Sequence, residues 1–72
     1  MDLLEIEHLI KVNRPNGFLG ISEKRDTYEI NFRGNVKLDQ YDIEIIQEID
    51  EDYRFMAKPS MTGTILTFIV KK

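Results

Sequence analysis

A chain of 72 residues has room for one domain, with a core close to the smallest that holds together without staples. The absence of cysteine excludes disulfides, thiolate nucleophiles and zinc-thiolate sites, and points to a reducing compartment. With 42% hydrophobic and 32% charged residues the composition is that of a folded protein, while a net charge of −3 argues against general nucleic-acid binding, which relies on Lys and Arg to replace counterions on phosphate.

Residues 2–12 satisfy two periods at once. Leu3, Ile6, Leu9 and Ile10 share a helical arc, and Asp2 with Glu5 supplies an N-cap and an acidic first turn in the manner of a capping box. Yet Leu4, Ile6, His8, Ile10 and Val12 also alternate as a half-buried strand does. The capping residues favour helix, and the strand remains the alternative. Glu5, Glu7 and His8 interrupt the segment and no basic leader precedes it, so neither a signal peptide nor a membrane span is expected here. A soluble, cytoplasmic protein is the expectation.

Arg14-Pro15-Asn16-Gly17 is a turn sequence, since Pro presets φ and Asn and Gly tolerate the left-handed region. Phe18 to Ser22 then reads as a short strand. Tyr28, Ile30 and Phe32 alternate with Glu29, Asn31 and Arg33 in a clearer one, and Glu23-Lys24-Arg25-Asp26 makes the charged loop between them. Gly34-Asn35 closes the second strand, and Val36 leads toward the next element.

Leu38 to Asp52 predicts an amphipathic helix capped by Asp39. At about 100° per residue, Leu38, Tyr41, Ile45, Ile46 and Ile49 fall in one arc with Ile43 at its edge, opposite Gln40, Glu44, Gln47, Glu48 and Glu51. A stripe of that width needs a surface to cover, so the helix is expected to lie as a lid on the core. Tyr53, Phe55 and Ala57 alternate with Arg54, Met56 and Lys58 in a third strand, which Pro59 is expected to stop because it has no amide donor. After a Ser60–Gly63 loop, Thr64 to Val70 is a strand apolar on both faces: Leu66, Phe68 and Val70 on one, Ile65 and Ile69 on the other. Such a strand is either central in its sheet or covered on its second face by a partner, which makes a homodimer an expectation.

The predicted fold is α+β, a single small domain over residues 1–72 with an antiparallel sheet of about four strands and helices packed on one face. The order is α-β-β-α-β-β, or β-β-β-α-β-β if the first element is a strand.

The chemistry is sparse. His8 is the only histidine, and nothing beside it spells a catalytic arrangement; its plainer reading is packing or surface. The carboxylates at Asp39, Asp42 and Asp50 to Asp52 do not follow a calcium-loop pattern. Gly17-Phe18-Leu19-Gly20 spells a GXXG, but with apolar middle residues leading into a strand it is set aside as a nucleic-acid clamp. No enzyme activity, metal or cofactor is expected.

Charge distribution says more. Seven of the 13 acids and no base lie between Asp39 and Asp52, leaving six acids against ten bases elsewhere, a local net of +4. Glu44 and Glu48 repel at i,i+4, and Asp50, Glu51 and Asp52 crowd the negative end of the helix dipole. The expectation is a non-catalytic protein-protein interaction module of adaptor or inhibitor type. It would dock on a basic partner through Glu44, Glu48 and Glu51, or extend a partner's sheet through its last strand. The plainer reading of that face is solubility. The alternative function is nucleic-acid binding through Lys24, Arg25, Arg33, Lys58, Lys71 and Lys72, with Tyr28 or Phe32 as stacking platforms.

Overall fold

The computed structural model describes residues 2–13, 17–34 and 38–72. The element order is α1 (Leu3–Asn13), β1 (Phe18–Glu23), β2 (Thr27–Arg33), α2 (Gln40–Ile49), β3 (Arg54–Ser60) and β4 (Gly63–Lys71). The expected turn over Arg14 to Asn16, and the strand end and lead-in at Asn35 and Val36, lie outside the described residues.

The first segment is a helix. Asp2 Oδ1 accepts the Glu5 backbone N–H at 2.9 Å, so the cap decides between the two periods. Ile6 and Ile10 are buried and Leu3 packs against the same cluster. At the other end the Asn13 side chain donates to the Leu9 carbonyl at 2.8 Å, taking up one of the acceptors that a helix terminus leaves free.

Two hairpins build the sheet, β1 with β2 and β3 with β4, and antiparallel pairing of β2 with β4 joins them in the order β1-β2-β4-β3. Because side chains alternate across a strand, register sorts the residues onto two faces. Tyr28, Ile30 and Phe32 stand opposite Val70, Phe68 and Leu66, and with Ile6, Ile10 and Ile46 they form the core on the helix side. Phe68 is its aromatic hub, with the rings of Phe32, Tyr53 and Phe55 at 5.6, 5.7 and 5.1 Å between centroids.

Three expectations are corrected. Pro59 does not end β3, which runs on to Ser60 with Pro59 opposite Thr64. The strand lies at the sheet edge, where a residue without an N–H is tolerated because one side of the backbone has no ladder to feed. The last strand is likewise not an edge: β4 lies between β2 and β3, so it has no free side with which to extend a partner's sheet. The true edges are β1, irregular in register between Phe18 and Gly20, and the proline-bearing β3.

The third correction concerns α2. It ends at Ile49, and its buried residues are Asp42, Ile45 and Ile46, whereas Tyr41 is exposed. Asp39 and Asp42 form a reciprocal capping box, each side chain accepting the other's backbone N–H at 3.0 and 3.2 Å. Such a cap stabilises a helix start by about 1 kcal/mol and turns Asp42 inward. Tyr41 is left to reach sideways, its hydroxyl donating to Asn13 Oδ1 at 2.6 Å. At the far end Asp50 adopts an extended conformation, its N–H donating to the Ile46 carbonyl.

No helix among the described residues is long and apolar enough to cross a membrane.

Candidate functional site

Both helices contribute to one core, so the second face of the sheet has no described element over it. Register places Gly20 and Ser22 of β1, Thr27, Glu29, Asn31 and Arg33 of β2, Ile65, Thr67, Ile69 and Lys71 of β4, and Arg54, Met56 and Lys58 of β3 on this face. Its middle is fastened by side chains. Thr67 is completely buried and its hydroxyl donates to Asn31 Oδ1 at 2.8 Å, while the Asn31 amide points to Ser22 Oγ at 3.4 Å. Lys58 Nζ bonds Glu29 Oε1 at 3.1 Å. Since Lys58 stands opposite Ile65 and Glu29 opposite Ile69, this ion pair crosses β4 above Thr67.

Around that centre lie half-buried Ile65 and Ile69, exposed Met56 and three cations, Arg33, Arg54 and Lys71, that form no ion pair among the described residues. Arg33 and Ile65 share a depression with Leu19 at one corner, and Arg54, Ile69 and Lys71 share another at the opposite end. By register the face carries four cations against one carboxylate, with Asp26, Asp50 and Asp52 added at the corner of Arg54 and Lys71. The outer surface of α2 is the reverse: Glu44, Glu48 and Glu51 line one shallow depression with Gln47, and no base faces them among the described ion pairs. The lopsided charge of the sequence is thus separated only in part: Glu44, Glu48 and Glu51 gather without a base, whereas Asp50 and Asp52 sit among the cations at one corner of the open sheet. Arg54 joins the basic face and shares its corner with Asp50 and Asp52, away from Glu44 and Glu48.

Of the six cations proposed for nucleic acid, Arg33, Lys58 and Lys71 reach the open face. Lys24 stays in the hairpin turn, whereas Arg25 and Lys72 line the corner depression of Arg54 and Lys71, Lys72 with its ammonium 2.8 Å from Glu23 Oε2 and 5.1 Å from the Tyr28 ring centroid. The Glu23 bond chiefly holds its ammonium above the ordinary lysine value. Tyr28 and Phe32 are not stacking platforms: both are buried in the core, on the opposite face from Arg33 and Lys58. The open face carries no aromatic residue on β2, β3 or β4. Sequence reading missed Arg54, which sits opposite Ile69; the alternation of β3 with β4 was the signal that placed it.

His8 is exposed on α1 beside Leu4, Glu5, Leu9 and Val12. Among the described residues no group of three His, Asp or Glu is arranged to hold a metal ion. The GXXG stretch lies at the start of β1, with Gly17 at φ 77°.

No family model matches the chain, and neither a curated protein nor a solved structure is significantly similar to it.

Proposed function

We propose that the protein is a non-catalytic protein-protein interaction module that receives an acidic, partly apolar segment of its partner on the open face of the sheet. The observation that carries this reading is the uncovered face itself, where Ile65, Ile69 and Met56 offer apolar area among Arg33, Arg54 and Lys71. Apolar contacts supply affinity there, and the surrounding cations select and orient the partner. The acidic outer surface of α2 contributes by repulsion, turning an acidic partner away from the wrong side during encounter.

A second docking mode, a basic partner on Glu44, Glu48 and Glu51, is supported by the convergence of these carboxylates on one depression. The nucleic-acid alternative draws support from Arg33, Lys58 and Lys71 on one face, but Glu29 sits among them and no base-stacking ring accompanies them.

Selection from a random displayed peptide library separates these modes. Binders enriched in Asp or Glu with apolar residues, lost on Arg33→Glu/Arg54→Glu but retained on Glu44→Lys/Glu48→Lys/Glu51→Lys, are the expected result. Basic peptides with the reverse sensitivity would transfer the function to α2. A labelled oligonucleotide that binds at low salt and is released steeply as salt rises, with no peptide enriched, would favour nucleic acid.

A further inference from the structure

The first helix is apolar on two sides. Ile6 and Ile10 fill the core, yet Leu4 and Val12 are 75% and 63% exposed on the far side, with His8 between them and half-buried Leu9 on the flank. The second apolar row is a pair of large exposed side chains with no partner among the described residues. The outer row is also why residues 2–12 alternate like a strand: Leu4, His8 and Val12 belong to one surface and Ile6 and Ile10 to the other.

We infer that this row is the contact between two copies of the chain. Leu4, His8 and Val12 are spaced i, i+4, i+8, which makes them one ridge inclined to the helix axis. Two such ridges pack together at a crossing angle of about −50°, the commonest arrangement of helix pairs. For identical helices a two-fold axis then runs parallel to the ridge, which sets the two rows of Leu4, His8 and Val12 side by side, each in the groove beside the other.

Charge argues for a second copy as the occupant. At about 100° per residue, Glu5 and Lys11 lie some 60° to either side of His8, equally displaced along the helix in opposite directions. A two-fold along the ridge therefore sets Glu5 of each copy against Lys11 of the other, giving two symmetric ion pairs at the rim of an apolar strip. Self-complementarity of this kind is what a closed, isologous contact requires. The opposite two-fold, across the ridge, would set Glu5 against Glu5. The favoured axis also carries the two α2 helices to opposite sides, keeping their carboxylates apart.

One helix surface per copy buries less than the roughly 800 Å² per partner of a standard interface, so the dimer is weak and reversible. It leaves the open sheet face free and stands or falls independently of the function proposed above.

Sedimentation velocity from roughly 10 µM to roughly 1 mM should show wild type passing from monomer toward dimer. Leu4→Asp and Val12→Asp, at exposed positions, should each weaken dimerisation at least about tenfold with unchanged helical circular dichroism. Glu5→Lys alone and Lys11→Glu alone should be monomeric, and mixing the two should restore dimers as a heterodimer. A wild type that stays monomeric throughout, a dimer untouched by Leu4→Asp, or no recovery on mixing would overturn the inference.

Discussion

The carboxylate of Asp50 accepts the backbone N–H of Lys71 at 2.9 Å, tying the end of α2 to the end of β4. Its other oxygen accepts the N–H of Asp52 at 2.9 Å. Both bonds favour the charged form, that to Lys71 the more, and they hold Asp50 below its ordinary value of 3.8. A group with a depressed folded pKa contributes stability that is complete above the unfolded value and lost as pH falls through the folded one. Urea midpoints of wild type and Asp50→Asn should therefore differ most near neutrality and converge below 3.8. A gap independent of pH would mean that the charge of Asp50 is irrelevant to the tie.

Gly34 should resist substitution for a reason of space. Its N–H donates to the Thr64 carbonyl at 2.7 Å, and an added Cβ would fall 2.6 Å from that oxygen and 2.7 Å from Thr64 Cβ. Two backbones must part to admit it, at a cost of about 1–3 kcal/mol. Gly20→Ala, where nothing lies within 4 Å, serves as the control and should stay within about 0.5 kcal/mol of wild type. Equal urea midpoints for the two variants would refute the close-approach explanation.

On the open face, Thr67→Val keeps the shape of a buried side chain and deletes its hydrogen bond to Asn31. The expected loss is about 1 kcal/mol. A double-mutant cycle with Asn31→Ala should give a coupling of about 0.5–1.5 kcal/mol between the two positions. Strict additivity would show that the bond is silent in solution.

Much of this architecture was legible in the residues because it rests on local period and local caps. Tyr28, Ile30 and Phe32 alternate cleanly and turn to the core as one row, and Asp39 caps α2 through its own side chain. The failures at Pro59 and Asp50 share a cause, which is that neighbours in space overrode neighbours in sequence, while that at Tyr41 is local. Helical period put Tyr41 in the core, but the capping box claimed the inward position for Asp42. Pro59 was expected to stop a strand, and strand order made it harmless by placing β3 at the edge. Asp50 was assigned to the helix, whereas its carboxylate reaches a strand 21 positions further on.

The site was legible in part. Clustering of Glu44 and Glu48 follows from helix spacing, and the turn after α2 brings Glu51 to the same depression. The gathering of Arg33, Arg54 and Lys71 depends on which strands are neighbours and on the side taken by both helices. Period two tells which residues share a face of a strand, but not which face meets water.

The order β1-β2-β4-β3 also has a consequence for how the chain reaches its fold. Each hairpin closes over a short turn, whereas the ladder from Thr27↔Lys71 to Arg33↔Ile65 joins strands separated by a helix and a third strand. Closing that distant pairing carries the largest loop entropy of the three ladders, so the seam between β2 and β4 is expected to form after the two hairpins.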